Sequence, residues 1–234
     1  MVLETPVKVL LENNGLYITR KRKKWKFAHF DSWENCFSYQ RGDDAAPVKK
    51  LLKAYFPKNQ PIVLEIAAGN AQFSLQLAKK YSNFNFIAID IKSDRLYTSA
   101  KQALEEGVKN IAFLRMSLFE LEKVLSKHSV AAIWLTFPDP FPRKRSSNRR
   151  LTHSKFLQQY RNILKDTGML KFKTDNRELF LWSLEQFIAE KWHIAELSFD
   201  LHESDLSEDY KIMTAYEKRF SAEGIPINYC SLVS

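Results

Sequence analysis

The sequence contains little cysteine. Its 234 residues include only Cys36 and Cys230, and neither has a second cysteine nearby. Disulfide frameworks and zinc knuckles both require cysteines at characteristic spacings, so the sequence predicts neither a disulfide-stabilised secreted domain nor a bound metal. Two isolated thiols are typical of a protein from the reducing cytosol.

Long apolar runs are also missing. No run in the sequence approaches the roughly 20 residues that a membrane-spanning helix requires. The N-terminal residues lack the apolar stretch and the small-residue cleavage site of a signal peptide. We therefore expect a soluble, cytoplasmic protein that has no membrane partner and forms a monomer or a homodimer.

Basic residues are in excess, and many of them are clustered. Lysine and arginine number 36 against 27 aspartates and glutamates, which gives a formal net charge of +9. Six of the seven residues 20–26 are basic. A second cluster consists of Arg143, Lys144, Arg145, Arg149 and Arg150. Scattered lysines can serve solubility alone, but clustered cations neutralise phosphates, so the pattern favours a polyanionic partner.

Alternating patterns predict the fold from Pro61 onward. Short apolar runs alternate there with longer amphipathic stretches, as in parallel strands joined by helical crossovers. Five strands are predicted at 62–66, 84–89, 111–115, 130–137 and 169–173. Two more are predicted at 193–200 and 212–220, and we expect this last pair to form an antiparallel hairpin. The sequence thus predicts an α/β domain with a seven-stranded, mostly parallel sheet.

The N-terminal residues do not share this alternation. We predict that residues 1–57 form a basic and aromatic extension and that residues 58–234 form the α/β domain. The aromatic residues of the extension are Trp25, Phe27, Phe30, Trp33, Phe37 and Tyr39. These rings could stack on nucleic-acid bases, or they could dock on the neighbouring domain, and we favour docking.

The turn after the first predicted strand is a candidate cofactor site. It reads Glu65-Ile66-Ala67-Ala68-Gly69-Asn70-Ala71 and leads directly into a helix, where doubly wound folds bind nucleotide-shaped ligands. The G-x-G-x-x-G spacing that accommodates a pyrophosphate is absent. The absence of this spacing does not exclude S-adenosylmethionine (SAM), because SAM has no phosphate and requires only that the backbone of the turn can come close to it. Asp90 ends the second strand. A carboxylate at this position can accept hydrogen bonds from ribose hydroxyls, or it can lie there only because strand ends are exposed to solvent.

The residues after the fourth strand combine prolines, one carboxylate and cations. They read Phe137-Pro138-Asp139-Pro140-Phe141-Pro142-Arg143-Lys144-Arg145. Proline fixes its own φ and restricts the preceding residue, so we expect Asp139 to be held rigidly over the carboxyl edge of the sheet. A proline-rich exit loop without function is the alternative.

Three motifs resemble those of the tRNA (guanine-N7-)-methyltransferase family. The segment 137–150 is similar to the family's P-D-P-W-P and following K-[KR]-R-H-x-K-R-R-[IL]. Phe172-Lys173-Thr174-Asp175 resembles F-K-T-D, and Thr214-Ala215-Tyr216-Glu217 resembles T-x-[YF]-E. The matches keep their order and spacing over residues 60–225.

The resemblance implies a Rossmann-like class I methyltransferase that uses SAM to methylate guanine N7 in tRNA, at position 46 of the variable loop. The expected cofactor-binding residues are Glu65, Gly69, Asp90, Ser117 and Asp139, with Asp139 also the catalytic residue. The expected substrate-binding residues are Arg143, Asp175, Thr214 and Glu217. Contacts with the RNA backbone are expected from Lys144, Arg145, Arg149 and Arg150.

The sequence departs from the family pattern at several positions. Ala67 and Ala71 occupy the outer glycine positions of E-[IV]-G-x-G-x-G, and Ser117 stands where an aspartate near the adenine is usual. We expect the two methyl groups to crowd the cofactor and Ser117 to bind it less strongly. Further replacements are Phe141 for tryptophan, Arg143 for lysine, and Ser146 and Asn148 for histidine and lysine.

The chemistry of guanine suggests a role for the acidic residues. N7 carries a lone pair and no proton, so positioning and desolvation should dominate catalysis. The N1–H and the exocyclic amine of guanine are hydrogen-bond donors, so carboxylates that accept from them select guanine over adenine. The candidate carboxylates are those of Asp139, Asp175 and Glu217, which are predicted at three strand ends. Asp139 would orient the base.

Two alternative functions remain open for this sequence. The protein could be a SAM-dependent methyltransferase of another substrate, or a tRNA-binding protein that has lost catalysis.

Overall fold

The computed structural model describes residues 25–26, 29–56 and 58–234. The strands are β1 (Cys36–Ser38), β2 (Ile62–Ile66), β3 (Asn85–Asp90), β4 (Ile111–Arg115), β5 (Val130–Thr136), β6 (Leu164–Thr174), β7 (His193–Ser198) and β8 (Asn228–Val233). The helices are α1 (Ala46–Tyr55), α2 (Gln72–Lys80), α3 (Ser93–Glu105), α4 (Leu121–Val124), α5 (Ser154–Ile163), α6 (Arg177–Ala189) and α7 (Ala215–Ala222). Short 3-10 helices cover Leu118–Glu120 and Lys144–Arg149.

The strands form one sheet in the order β1-β4-β3-β2-β5-β6-β8-β7 across the described residues. Strands β1 to β6 run parallel to their neighbours among themselves, whereas β8 is antiparallel to both β6 and β7. The carboxyl ends of β2, β3, β4, β5 and β6 therefore lie along one edge of the sheet. This mixed α/β architecture confirms the predicted Rossmann-like class.

The central strands are continuous apolar runs because helices cover both faces of the sheet. All six residues of β3 are buried. Successive residues contribute to two separate core clusters, as the alternation of side chains along a strand requires. Ile87 and Ile89 pack in the cluster that contains residues of α1, α4, α5 and α6, whereas Phe86 and Ala88 pack in the cluster with α2 and α3. None of the described helices combines the length and apolarity that crossing a bilayer requires.

The sheet has eight strands in the described part of the chain, not the predicted seven. The additional strand β1 comes from the predicted extension and pairs with β4, with Cys36 opposite Phe113. Phe30, Phe37 and Tyr39 are buried in the core, which agrees with the docking interpretation. Phe27 and residues 20–24 of the basic run lie outside the described residues. The division of the chain at residue 57 stays a prediction.

The predicted strand at 212–220 was wrong. Most of these residues form α7, and the strand that pairs with β7 is β8. The reason is local: the Thr214 hydroxyl accepts from Glu217 N–H, and the Glu217 carboxylate accepts from Thr214 N–H, which is a capping box. This reciprocal pairing starts a helix although the following aromatic residues favour strands.

Candidate functional site at the carboxyl edge of the sheet

The turn between β2 and α2 contains three residues in the left-handed conformation. Ala67, Gly69 and Ala71 have φ of 56°, 58° and 56°. Glycine adopts such angles freely, whereas for alanine the Cβ comes too close to the following carbonyl oxygen. The turn therefore keeps the backbone that three glycines would favour. Ala68 N–H donates to Ile89 O at 2.9 Å, which fixes the turn against β3.

Space lies open above this turn. A Cβ built on Gly69 would meet no atom within 4 Å. Gly69 N–H donates to one carboxylate oxygen of Asp90 at 2.9 Å, and Lys92 N–H donates to the other at 2.8 Å. Burial raises the pKa of Asp90, and these two N–H groups oppose that rise. Each oxygen keeps a lone pair with which it could accept a ribose hydroxyl.

Ser93 and Ser117 lie just beyond the carboxyl ends of β3 and β4. Met116 N–H donates to Asp90 O at 3.2 Å, so Ser117 follows directly from the point where β4 contacts the end of β3. Ser93 Oγ, in the first turn of α3, is buried and has no hydrogen-bond partner in the part of the chain that the structure describes. An open turn, a carboxylate and hydroxyl groups, without a pyrophosphate cradle, fit SAM better than a dinucleotide.

Glu65 lies beneath the turn and is only 1% exposed. One carboxylate oxygen accepts from Ser74 N–H at 3.1 Å and Ser74 Oγ–H at 2.6 Å, and the other accepts from Thr136 Oγ–H at 2.7 Å. Burial raises the pKa of Glu65, and these hydrogen bonds oppose the rise. Glu65 thus joins β2 to α2 and to the end of β5. A direct contact with the cofactor stays a prediction.

The loop after β5 holds Asp139 at the surface. Phe137 and Phe141 have φ of 50° and 41°, which is uncommon for large side chains. Phe137 N–H donates to Lys173 O at 2.9 Å, which fixes the start of the loop to β6. Pro138 is buried and Asp139 is exposed. The carboxylate of Asp139 is therefore accessible at the carboxyl edge of the sheet.

Arg150 secures this loop from within the protein. Its Nε donates to Pro140 O at 3.0 Å and its Nη2 to Phe141 O at 3.2 Å. The guanidinium lies 4.4 Å from the centroid of the Trp182 ring. By contrast, Arg143, Lys144, Arg145 and Arg149 are exposed. Sequence reasoning grouped Arg150 with the RNA-binding residues; its Nε and Nη2 bond to the loop, and an RNA contact from this partly exposed residue stays a prediction.

Lys173 and Glu217 form an ion pair in which both side chains are 0% exposed. The Lys173 Nζ donates to a Glu217 carboxylate oxygen at 2.7 Å, and it also donates to the carbonyl oxygens of Tyr210 at 3.1 Å and Ile212 at 2.9 Å. The second Glu217 oxygen lies 3.0 Å from His202 Nε2. Burial lowers the pKa of Lys173, and the Glu217 carboxylate opposes that decrease.

The buried position of Glu217 corrects part of the sequence prediction. Thr214 and Glu217 were expected to bind substrate, and Glu217 was expected at a strand end. Glu217 instead lies in the first turn of α7, which it caps together with Thr214, so the predicted strand end was wrong. The Glu217 carboxylate faces Lys173 inside the protein, and a substrate contact from Glu217 stays a prediction. A substrate contact from Thr214, which is partly exposed, stays a prediction.

Asp175 lies one residue beyond β6 and is partly exposed. The Tyr216 hydroxyl donates to its carboxylate at 3.4 Å, and the Tyr216 ring lies 5.3 Å from the ring of Phe137. Three segments thus meet: the loop that bears Asp139, the end of β6 and the start of α7. Sequence reasoning did not single out Lys173 or Tyr216, and because β6 also contains Lys165 and Lys171, no local pattern marks Lys173 as the buried lysine. Among the described residues, no group of His, Cys, Asp and Glu could hold a metal ion.

Comparisons of the sequence give consistent matches. A family model described as "Putative methyltransferase" matches residues 59–230. The tRNA (guanine-N(7)-)-methyltransferase of Brevibacillus brevis is 38% identical over 172 residues, which cover 74% of this chain and 80% of the relative. The protein of the same name from Christiangramia forsetii is 35% identical over 215 residues, covering 89% and 96%.

Solved structures show the same fold at low sequence identity. The 16S rRNA methyltransferase KamB superposes with a TM-score of 0.61 at 13% identity, covering 82% of this chain and 95% of that one. A structure described as an antibiotic-related methyltransferase has a TM-score of 0.58 at 17% identity, covering 80% and 93%. These identities support the architecture alone.

Proposed function

Because this chain belongs to the tRNA (guanine-N7-)-methyltransferase family, we propose that it transfers the methyl group of SAM to N7 of a guanine in tRNA. The observation that supports this most is the convergence at one sheet edge. The open turn at Gly69, the exposed carboxylate of Asp139 and the partly exposed carboxylate of Asp175 all follow neighbouring parallel strands. The exposed basic residues follow Asp139 directly along the chain.

The acidic residues have separate roles in this proposal. Asp90 would accept the ribose hydroxyls of SAM, and Gly69 would allow the cofactor to approach the turn. When bound, SAM supplies a methyl group on a positively charged sulfur. Guanine N7 needs no deprotonation, so the protein has only to orient the base and exclude water.

Selection of guanine would depend on the two accessible carboxylates. Asp139 and Asp175 can accept from the N1–H and the exocyclic amine, which adenine cannot supply in the same pattern. Glu217 is paired with Lys173 inside the protein, so the proposal assigns this selection to Asp139 and Asp175. Asp139, held between two prolines, would keep the base oriented with N7 towards the methyl group.

The exposed cations of the loop would bind the tRNA backbone. Arg143, Lys144, Arg145 and Arg149 lie on or next to one short 3-10 helix. Such a cluster neutralises several phosphates without reading sequence. We further propose that the target is the guanine at position 46 of the variable loop and that the reaction takes place in the cytoplasm.

The test is methylation of a tRNA transcript in the presence of labelled SAM, with the modified site mapped by borohydride-induced cleavage at N7-methylguanine. We expect one cleavage site, at position 46. A transcript with adenine at that position is the matched control and should not be methylated. Cleavage elsewhere would contradict the proposed position. Binding of tRNA without any SAM binding would instead support a protein that has lost catalysis.

A further inference from the structure

A single buried lysine contacts each segment around the proposed guanine site. The Lys173 Nζ bonds to Glu217 of α7 and to the carbonyl oxygens of Tyr210 and Ile212, which precede α7. The backbone oxygen of the same residue accepts from Phe137 N–H, two residues before Asp139. Side chain and backbone of Lys173 thus hold the segment before Thr214 and the loop of Asp139 against the same strand.

These contacts depend on one another because a single amine makes all of them. The Lys173 Nζ uses its three donors on three acceptors, and Glu217 also accepts from Thr214 N–H at 3.2 Å. Removing the amine would leave a buried carboxylate and two partly buried carbonyls without this donor, and the loss is largest at the carboxylate. The segment from Tyr210 to Glu217 would have to move to recover hydrogen bonds.

Such a movement would reach the candidate substrate residues. Tyr216 lies in the first turn of α7, its hydroxyl donates to Asp175, and its ring packs on Phe137. The Lys173 Nζ itself lies 5.6 Å from the centroid of the Phe137 ring. A shift of α7 would therefore change the surroundings of Asp175 and of the loop that carries Asp139.

We propose that Lys173 is a positioning residue for the guanine site, which keeps Asp139, Asp175 and the start of α7 in a fixed relative arrangement. The inference rests on the proposed function and deepens it. Lys173 is not accessible to substrate, so it acts through the residues that it holds.

The first experiment compares Lys173→Met with Lys171→Met. Lys171 lies two positions earlier on the same strand and also contacts Tyr210, with its Nζ 3.9 Å from the ring centroid. Methionine keeps an unbranched side chain, one atom shorter than that of lysine, and removes the charge. We expect Lys173→Met to lower kcat/KM for tRNA by about 100-fold, as a misplaced site does, with a SAM Kd within about twofold of the wild-type value. Lys171→Met should stay within about twofold on both measures.

A second variant separates positioning from folding. Replacing both Lys173 and Glu217 by methionine removes the buried charges together, which restores stability more readily than removing one. The double variant should show cooperative thermal unfolding and still have a low kcat/KM with normal SAM binding. Recovery of turnover would overturn the proposal, as would equal activities of the two single variants. Failure of both Lys173 variants to fold would assign Lys173 to the fold alone and would also overturn it.

An inactive wild-type protein would contradict the proposed function instead. The positioning role would then still be decided by amide hydrogen exchange of residues 210–217. We expect this exchange to be faster in Lys173→Met than in Lys171→Met, and equal rates would overturn the proposal.

Discussion

Ala67 holds a backbone conformation that alanine adopts only at a cost. The left-handed angle costs a residue with a Cβ about 1–2 kcal/mol, and the greater freedom of glycine in the unfolded chain offsets about 0.5–1 kcal/mol of that. Ala67→Gly should therefore raise the free energy of unfolding by about 0.5–1 kcal/mol and lower the Kd for SAM. Urea unfolding and calorimetric titration measure the two effects.

The neighbouring Ala68 provides the control. It is buried and is not among the residues with positive φ in the described ranges, so Ala68→Gly should destabilise the protein. Equal changes at the two positions would mean that the left-handed angle at Ala67 carries no strain.

Asp139 has an accessible carboxylate and no assigned role in the fold. Asp139→Ala should lower kcat at least about 100-fold, since the oriented base is lost, while the Kd for tRNA changes less than about threefold because the cations provide the affinity. Single-turnover assays and filter binding give the two quantities. A parallel loss of tRNA binding would make Asp139 a binding residue and not an orienting one.

At the scale of elements, the loop between β5 and α5 has two kinds of cation. The exposed Lys144 and Arg145 should contribute to the salt dependence of tRNA binding. Reversing both to glutamate should reduce the slope of log K against log salt by about 2, because about one counterion is released per cation. An unchanged slope would remove the 3-10 helix from the interface.

Arg150 should behave differently because its donors bond to Pro140 and Phe141. We expect Arg150→Met to lower the melting temperature and kcat while leaving the salt slope of tRNA binding unchanged. A slope reduced as much as in the double reversal would instead identify Arg150 as a phosphate ligand.

Glu65 joins three elements and makes their association sensitive to pH. Burial raises its pKa above the ordinary value of 4.5, so between the two pKa values the folded protein binds more protons than the unfolded chain. Stability contributed by this group therefore falls as pH rises through that window. Relative to Glu65→Gln, the wild-type protein should lose free energy of unfolding as pH increases above 4.5. The contribution of Asp90 is the same in both proteins and cancels in the comparison. Urea unfolding between acid and neutral pH measures the free energy of unfolding, and parallel curves for the two proteins would contradict the prediction.

Which elements were predictable depends on how local their determinants are. Strands β2 and β4 were predicted at their observed bounds because a buried parallel strand is a continuous apolar run. Strand β1 has three residues, too few for any pattern, and depends on its pairing with β4. The roles of Glu65 and Glu217 depend on Thr136 and Lys173, which lie 71 and 44 residues away in sequence. No local pattern reports such partners, so carboxylates in matching motifs were all interpreted as ligand contacts.

At the scale of the whole molecule, the net charge of +9 is concentrated in two clusters. Lys26, the last residue of the N-terminal basic run, places its Nζ 5.0 Å from the ring of Tyr97 in α3. Lys26 therefore contacts α3, the helix that follows the end of β3. Replacing the five basic residues 20–24 by serine should weaken tRNA binding and leave the melting temperature unchanged. Unaltered affinity would assign these residues to solubility.

The interior position of β8 in the sheet has a consequence for synthesis. Strand β7 pairs with β8 alone in the described sheet, and β8 also covers β6, yet β8 is the last of these strands to leave the ribosome. A nascent chain that ends before Asn228 therefore leaves the backbone N–H and C=O groups along one edge of β6 unpaired and leaves β7 without a neighbouring strand. We therefore expect incomplete chains to aggregate more readily than the finished protein.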